Sequence, residues 1–113
     1  MADATTKFFE ALEARGHNPM LEKAKGTVRF DLRDGKHTAR WVISIDKGDL
    51  AVSRRNAKAD CVVRVDKALF DKIATGRANP LTALMRGELE AEGDMGLLTG
   101  LQRAFPAPPR RKS

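Results

Sequence analysis

Apolar and polar residues alternate along this chain with two different periods, and the points where the period switches divide it into elements. From residue 3 to about residue 15 the period is helical. Phe8, Phe9 and Leu12 fall on one side, and Lys7, Glu10 and Glu13 on the other. Gly16 and Asn18-Pro19 end that helix. From Gly26 the period becomes two. Val28, Phe30 and Leu32 alternate with Thr27, Arg29 and Asp31, which predicts a strand with one buried face. Asp34-Gly35 is a strong hairpin signal. The next strand, 38 to 45, turns Trp41, Ile43 and Ile45 inward, and "DKGD" leads into a third strand with Leu50 and Val52 inward.

The polar stretch "SRRNAKAD" predicts a solvated loop, and "CVVRV" a fourth strand with Cys61, Val63 and Val65 on one face. Asp66 is placed to cap a helix bearing Leu69, Phe70 and Ile73, which ends at Gly76. Asn79 suits an N-cap and Pro80 the first helical position, so a second short helix carries Leu81, Leu84 and Met85. "ELEAE" is a fifth strand with Leu89 and Ala91 inward. Asp94 caps a last helix with Leu97, Leu98, Leu101 and Phe105, and Pro106 stops it. Strands four and five are thus joined by a helical crossover of about twenty residues, a length that favours a parallel pair over a hairpin. The class is α+β, a mixed five-stranded sheet covered by helices.

Composition narrows the picture. A chain of 113 residues is one domain with one core. The net charge of +6 suggests an anionic partner, but Arg110, Arg111 and Lys112 supply half of it from the tail "PAPPRRKS". Residues 1–105 are therefore expected to form the domain, and 106–113 a disordered basic tail. There is no Tyr, and the Phe residues lie mostly in helical segments, so no aromatic platform for stacking bases is evident. The charge suits transient contact with an anionic membrane, an acidic protein surface or an anionic head group better than nucleic acid. No stretch approaches the roughly 18 apolar residues of a membrane span. The N-terminus lacks the layout of a signal peptide, and one cysteine allows no internal disulfide. A cytoplasmic protein is expected.

Reactive constellations are sparse. His17 and His37 have no further ligand at metal spacing, so no metal site is assigned. Cys61 heads an apolar strand as a small filler. Glu88, Glu90 and Glu92 share one strand face, which is the pattern of a solvated surface. "GDMGLLTG" does not have the spacing of a phosphate loop. Gly96 and Gly100 share a helix face, fitting either a close helix contact or a surface kept low for a ligand. No catalytic residue and no cofactor are assigned, and an enzyme is not expected.

Two stretches point to a family. "ADCVVRV" precedes "ALFDKIATGRANPLTALMRGELEAEGDMGLLTGLQRAF", and "GTVRFDLRDGKHTARWVISIDKGDLAV" lies upstream. The order of an alternating strand, G-x-x-N-P before a short helix, G-x-L-x-x-x-G-D and a final helix resembles the sterol carrier protein 2 family over residues 5 to 105. The resemblance implies a mixed five-stranded sheet of order 3-2-1-4-5, helices over one face and an apolar tunnel between. It also implies a carrier of sterols, fatty acids or fatty acyl-CoA. The chain ends "RRKS" where a peroxisomal address would end Ser-Lys-Leu, so that targeting does not carry over. Ala91 stands where the family often has a larger aliphatic residue.

On this basis Trp41, Ile43 and Leu89 are expected to form the floor of a ligand site. Phe70, Ile73, Leu81, Leu84, Met85, Leu97, Leu101 and Phe105 would form its roof. Met20, Met85 and Met95 supply adaptable side chains, and Arg77, Arg86 and Arg103 flank the short helices as partners for an anionic head group. An unfilled cavity of roughly 300 Å³, at the low end for ligand pockets, costs about 7 kcal/mol at about 24 cal/mol per Å³. That rivals the roughly 5 to 15 kcal/mol that holds a domain together. Such a chain either holds a ligand or collapses into an ordinary core. In the second case it would be an accessory or scaffold domain whose basic tail engages a protein or acidic surface.

Overall fold

The computed structural model describes residues 3–55 and 58–102, apart from the side chains of Met20 and Gln102. Arg103, Phe105 and the tail from residue 106 lie outside the described residues. The elements run α1 (Ala4–Arg15), a 3-10 turn (Pro19–Leu21), β1 (Lys25–Asp34), β2 (His37–Asp46), β3 (Asp49–Ser53) and β4 (Cys61–Asp66). They continue with α2 (Lys67–Ala74), α3 (Pro80–Met85), β5 (Leu89–Gly93) and α4 (Met95–Gln102). The strands form one sheet of order β3-β2-β1-β4-β5, the order that the family resemblance implies.

One pairing differs from expectation. β4 and β5 are antiparallel, with Val65 opposite Leu89 and Cys61 opposite Gly93. The crossover contains the two helices expected, and two helices reverse the chain twice. α2 carries the chain back along the sheet and α3 reverses it again, so β5 begins beside the end of β4. The parallel pair is β1 with β4, from Val28 opposite Cys61 to Arg33 opposite Asp66. Gly93 closes β5 at φ +104°, and a Cβ there would meet the Asp60 carbonyl oxygen at 2.1 Å. Only glycine fits so close an approach.

Alternation places Val28, Phe30, Leu32, Ile43, Ile45, Cys61, Val63 and Val65 on the inner face, all 2% exposed or less. The helices lie on this face. α1 packs toward β3, α2 and α4 lie over β1 and β4, and α3 sits against β5. The outer face is charged. Arg40, Asp31, Arg64 and Glu90 stand side by side across β2, β1, β4 and β5, alternating in sign. Asp31 also takes hydrogen bonds from Arg29 Nε at 3.0 Å and Nη2 at 3.2 Å, and Arg64 pairs with Glu92.

Helix starts follow the expected residues with one change. Asn79 Oδ1 accepts the Leu81 N–H at 2.8 Å, and Asp94 Oδ1 accepts the Gly96 N–H at 2.9 Å. Asp66 occupies the N-cap of α2, but its carboxylate makes no capping bond. It pairs instead with Arg33 Nε at 3.3 Å on the neighbouring strand. α1 is tied to α2 by charge. Thr5 N–H donates to Asp71 Oδ1 at 3.0 Å, and Lys67 Nζ bridges Asp71 Oδ2 at 3.1 Å and Asp3 Oδ2 at 2.8 Å. The Lys67 ammonium holds the Asp3 carboxyl well below the usual carboxylate range.

A candidate apolar binding site

The inner face of the sheet divides into a filled half and an open half. Over β2 and β3, α1 presses Phe8, Phe9 and Leu12 against the strands. The Phe9 ring stacks on Trp41 at 4.5 Å with an interplanar angle of 8°, and on Phe70 at 5.5 Å with an angle of 2°. Phe30 and Phe8 meet this stack edge-on. On the helix side of β2 the Arg54 guanidinium lies 4.1 Å from the Trp41 ring centroid, a cation–π contact. Trp41 and Ile43 therefore belong to a closed aromatic core, one that the alternating strand pattern alone does not separate from a pocket floor.

Over β1, β4 and β5 the cover is three short helices, and they leave a partly open cavity of about 160 Å³. Phe30, Val63 and Leu89 come up from the strands, Phe70 and Ile73 down from α2, Pro80, Leu81 and Leu84 from α3, and Met95, Leu98 and Thr99 from α4. Five of the expected site residues meet here: Phe70, Ile73, Leu81, Leu84 and Leu89. Leu97 and Leu101 are buried on another side of α4, where a Leu97 methyl fills the space a Gly26 side chain would take. Met85 points to solvent, and Phe105 lies outside the described residues.

Met95 lines the cavity as one of the adaptable side chains expected, and the lining residues that sequence reasoning missed, Phe30, Val63, Leu98 and Thr99 among them, had readable signals. Phe30 and Val63 hold inward strand positions. Met95, Leu98 and Thr99 form an i, i+3, i+4 stripe beside the Leu97–Leu101 stripe that was favoured. Gly100 serves a close contact, since a Cβ there would stand 3.2 Å from a Leu21 methyl.

The cavity wall is apolar. Thr99 Oγ1 is its one side-chain polar atom, and that hydroxyl donates to the Met95 carbonyl at 2.9 Å. Any polar group of an occupant would have to lie outside. Cys61 is buried in the sheet, away from the cavity, and burial pushes its thiol up. Among the described residues no three side chains could share a metal ion, and no helix is long and apolar enough to cross a membrane.

Comparison with known proteins agrees with this architecture. The model of the SCP-2 sterol transfer family matches residues 8–106. The chain belongs to that family. Sterol carrier protein 2 of Homo sapiens is 33% identical over 94 residues, which are 80% of this chain and 17% of that protein. Hydroxysteroid dehydrogenase-like protein 2 of Xenopus laevis is 31% identical over 97 residues, 84% of this chain and 23% of that protein. The chain thus spans under a quarter of each of these two SCP-2 relatives. Sterol carrier protein domain 2 of Helicoverpa armigera superposes with a TM-score of 0.75 at 28% identity, over 98% of this chain and 93% of that one. At family level the activity is lipid binding and transfer.

Proposed function

We propose that this chain is a non-catalytic carrier of one lipid-like molecule, held by its apolar part in the cavity beneath α3 and α4. The observation that carries the reading is the wall itself: eleven residues from six elements converge there, and none is charged. Phe70, Ile73, Leu81, Leu84 and Leu89 are the binding residues, joined by Phe30, Val63, Met95 and Leu98. Trp41, Ile43, Leu97 and Leu101 support the core.

At about 160 Å³ the cavity is smaller than the roughly 300 to 1,000 Å³ of ordinary ligand pockets. An empty apolar space of that size costs about 4 kcal/mol, which a domain can bear without a ligand and recover with one. A larger occupant enters by displacing Leu81, Leu84 and Met95. α3 is the element able to yield, because six residues make too short a helix to persist without packing.

Native mass spectrometry with a fatty acid, a fatty acyl-CoA and a sterol tests the reading. One molecule of at least one of these is expected to bind saturably. Leu84→Trp, which fills the cavity from a half-buried position, is expected to weaken that binding at least about tenfold while the melting temperature holds. No saturable binding by the wild type, or equal binding by Leu84→Trp, overturns it.

A further inference from the structure

Sulfur occurs at one place on the cavity wall. Among the eleven lining residues Met95 alone has a side chain that a mild oxidant modifies, the rest being aliphatic, proline, phenylalanine or threonine. Met95 is also 40% exposed, so a small solute reaches its side chain from outside. Cys61 and Trp41 are buried and line no part of the cavity. Met85 is 81% exposed on α3 but does not line the cavity either. We propose that Met95 is an oxidation site through which a hydroperoxide lowers the affinity of the cavity for its apolar occupant. The proposal rests on the carrier reading, because it concerns regulation of that same cavity.

A lone pair on Met95 Sδ attacks one oxygen of the hydroperoxide, so that an S–O bond forms and the O–O bond breaks. The proton on the transferred oxygen passes through solvent to the departing oxygen, which leaves as water or an alcohol. The sulfur gives up two electrons and the peroxide takes them. A flexible apolar side chain thereby becomes a polar sulfoxide with an acceptor oxygen. The wall has no side-chain donor for that oxygen. Thr99 carries its only hydroxyl, and that O–H donates to the Met95 carbonyl at 2.9 Å. A sulfoxide facing the cavity is therefore an unpaired polar group once an occupant excludes water. A sulfoxide turned to solvent withdraws the side chain from the wall and removes its contacts with the occupant. Either arrangement weakens binding, and enzymatic reduction of the sulfoxide reverses both. Met95 is the first residue of α4 and stands apart from the buried core cluster, so its oxidation leaves the fold in place.

Graded treatment of the full chain with hydrogen peroxide tests the proposal. Peptide mapping reads the oxidised positions, and native mass spectrometry with a fatty acid, a fatty acyl-CoA and a sterol reads binding. Met85 and Met95 are both expected to take up oxygen. The wild type is expected to lose lipid affinity in step with Met95 oxidation, by about fivefold or more, the low end for an unpaired buried polar group. Its melting temperature is expected to hold, and methionine sulfoxide reductases are expected to restore binding. Met85→Leu is expected to lose affinity on oxidation as the wild type does. Met95→Leu, compared with itself before and after peroxide, is expected to keep whatever affinity it starts with.

Met95 left reduced where Met85 is fully oxidised overturns the proposal, as does undiminished binding by protein oxidised at Met95. Equal losses in Met95→Leu and the wild type overturn it in favour of another methionine. A melting temperature that collapses with Met95 oxidation overturns it in favour of general unfolding. The affinity of the untreated wild type is read before any peroxide is added. Its absence removes the carrier reading and this proposal with it, whereas failure of the peroxide arm alone leaves the carrier intact.

Discussion

His17 shows how much a single side chain can do without being part of a reactive site. Its sequence setting, beside a helix-ending glycine, reads as ordinary surface. In the fold it joins the end of α1 to the β2–β3 hairpin: Nδ1–H donates to Asp49 Oδ1 at 2.8 Å, and Glu22 Oε1 lies 3.7 Å from Nε2. The backbone doubles the tie, with Leu50 N–H on the Gly16 carbonyl at 2.7 Å and Asn18 N–H on the Gly48 carbonyl at 2.8 Å. The Asp49 hydrogen bond raises the His17 pKa above its ordinary 6.5. A value raised in the folded state means stabilisation that is fully present below pH 6.5 and lost as pH rises through the folded-state value. The melting temperature is therefore expected to fall as pH rises above 6.5 in the wild type and to change less in His17→Asn. Equal slopes for the two proteins would remove His17 from the account. No sequence rule pairs residues 17 and 49, because the contact exists only once the hairpin has folded against α1.

Elements were far more legible than their contacts. Period-two alternation located all five strands to within a residue or two, because each strand has one buried face and one wet one. Residues that set special backbone geometry marked the ends: Gly16, Gly35, Asn79 and Gly93 each stand where a helix or strand turns. The direction of β5 was misread because the length of the crossover was weighed and its two helices, both legible, were not. The floor of the site was half legible. Trp41, Ile43, Phe30 and Val63 carry the same inward signal, and only the position of α1 decides which of them is sealed. α3 is the element most dependent on its cap, with six residues held by one side chain at the start. Asn79→Ala is expected to cost about 1 kcal/mol of stability. Hydrogen exchange is expected to report it first at the amides of Arg86 and Gly87, whose partners are Thr82 and Leu84. Uniform acceleration across the sheet would mean that α3 and the sheet unfold as one unit.

At the scale of the molecule, one domain holds a solid half and a yielding half. α1, the β2–β3 hairpin and five aromatic rings make the first; three short helices over β1, β4 and β5 make the second. Phe70 belongs to both, forming one wall of the cavity and the end of the stack that runs through Phe9 to Trp41. Trp41 is the chain's only tryptophan and touches no part of the cavity. Because the three rings are nearly parallel, a tilt of Phe70 caused by the proposed occupant is expected to pass through Phe9 to the indole and to the Arg54 cation beside it. Loading is thus expected to shift or quench tryptophan emission in proportion to occupancy, and Phe9→Leu to uncouple the two while binding persists. On the proposed function, the stack would make the protein its own optical gauge, with the dial set two rings away from the quantity it measures.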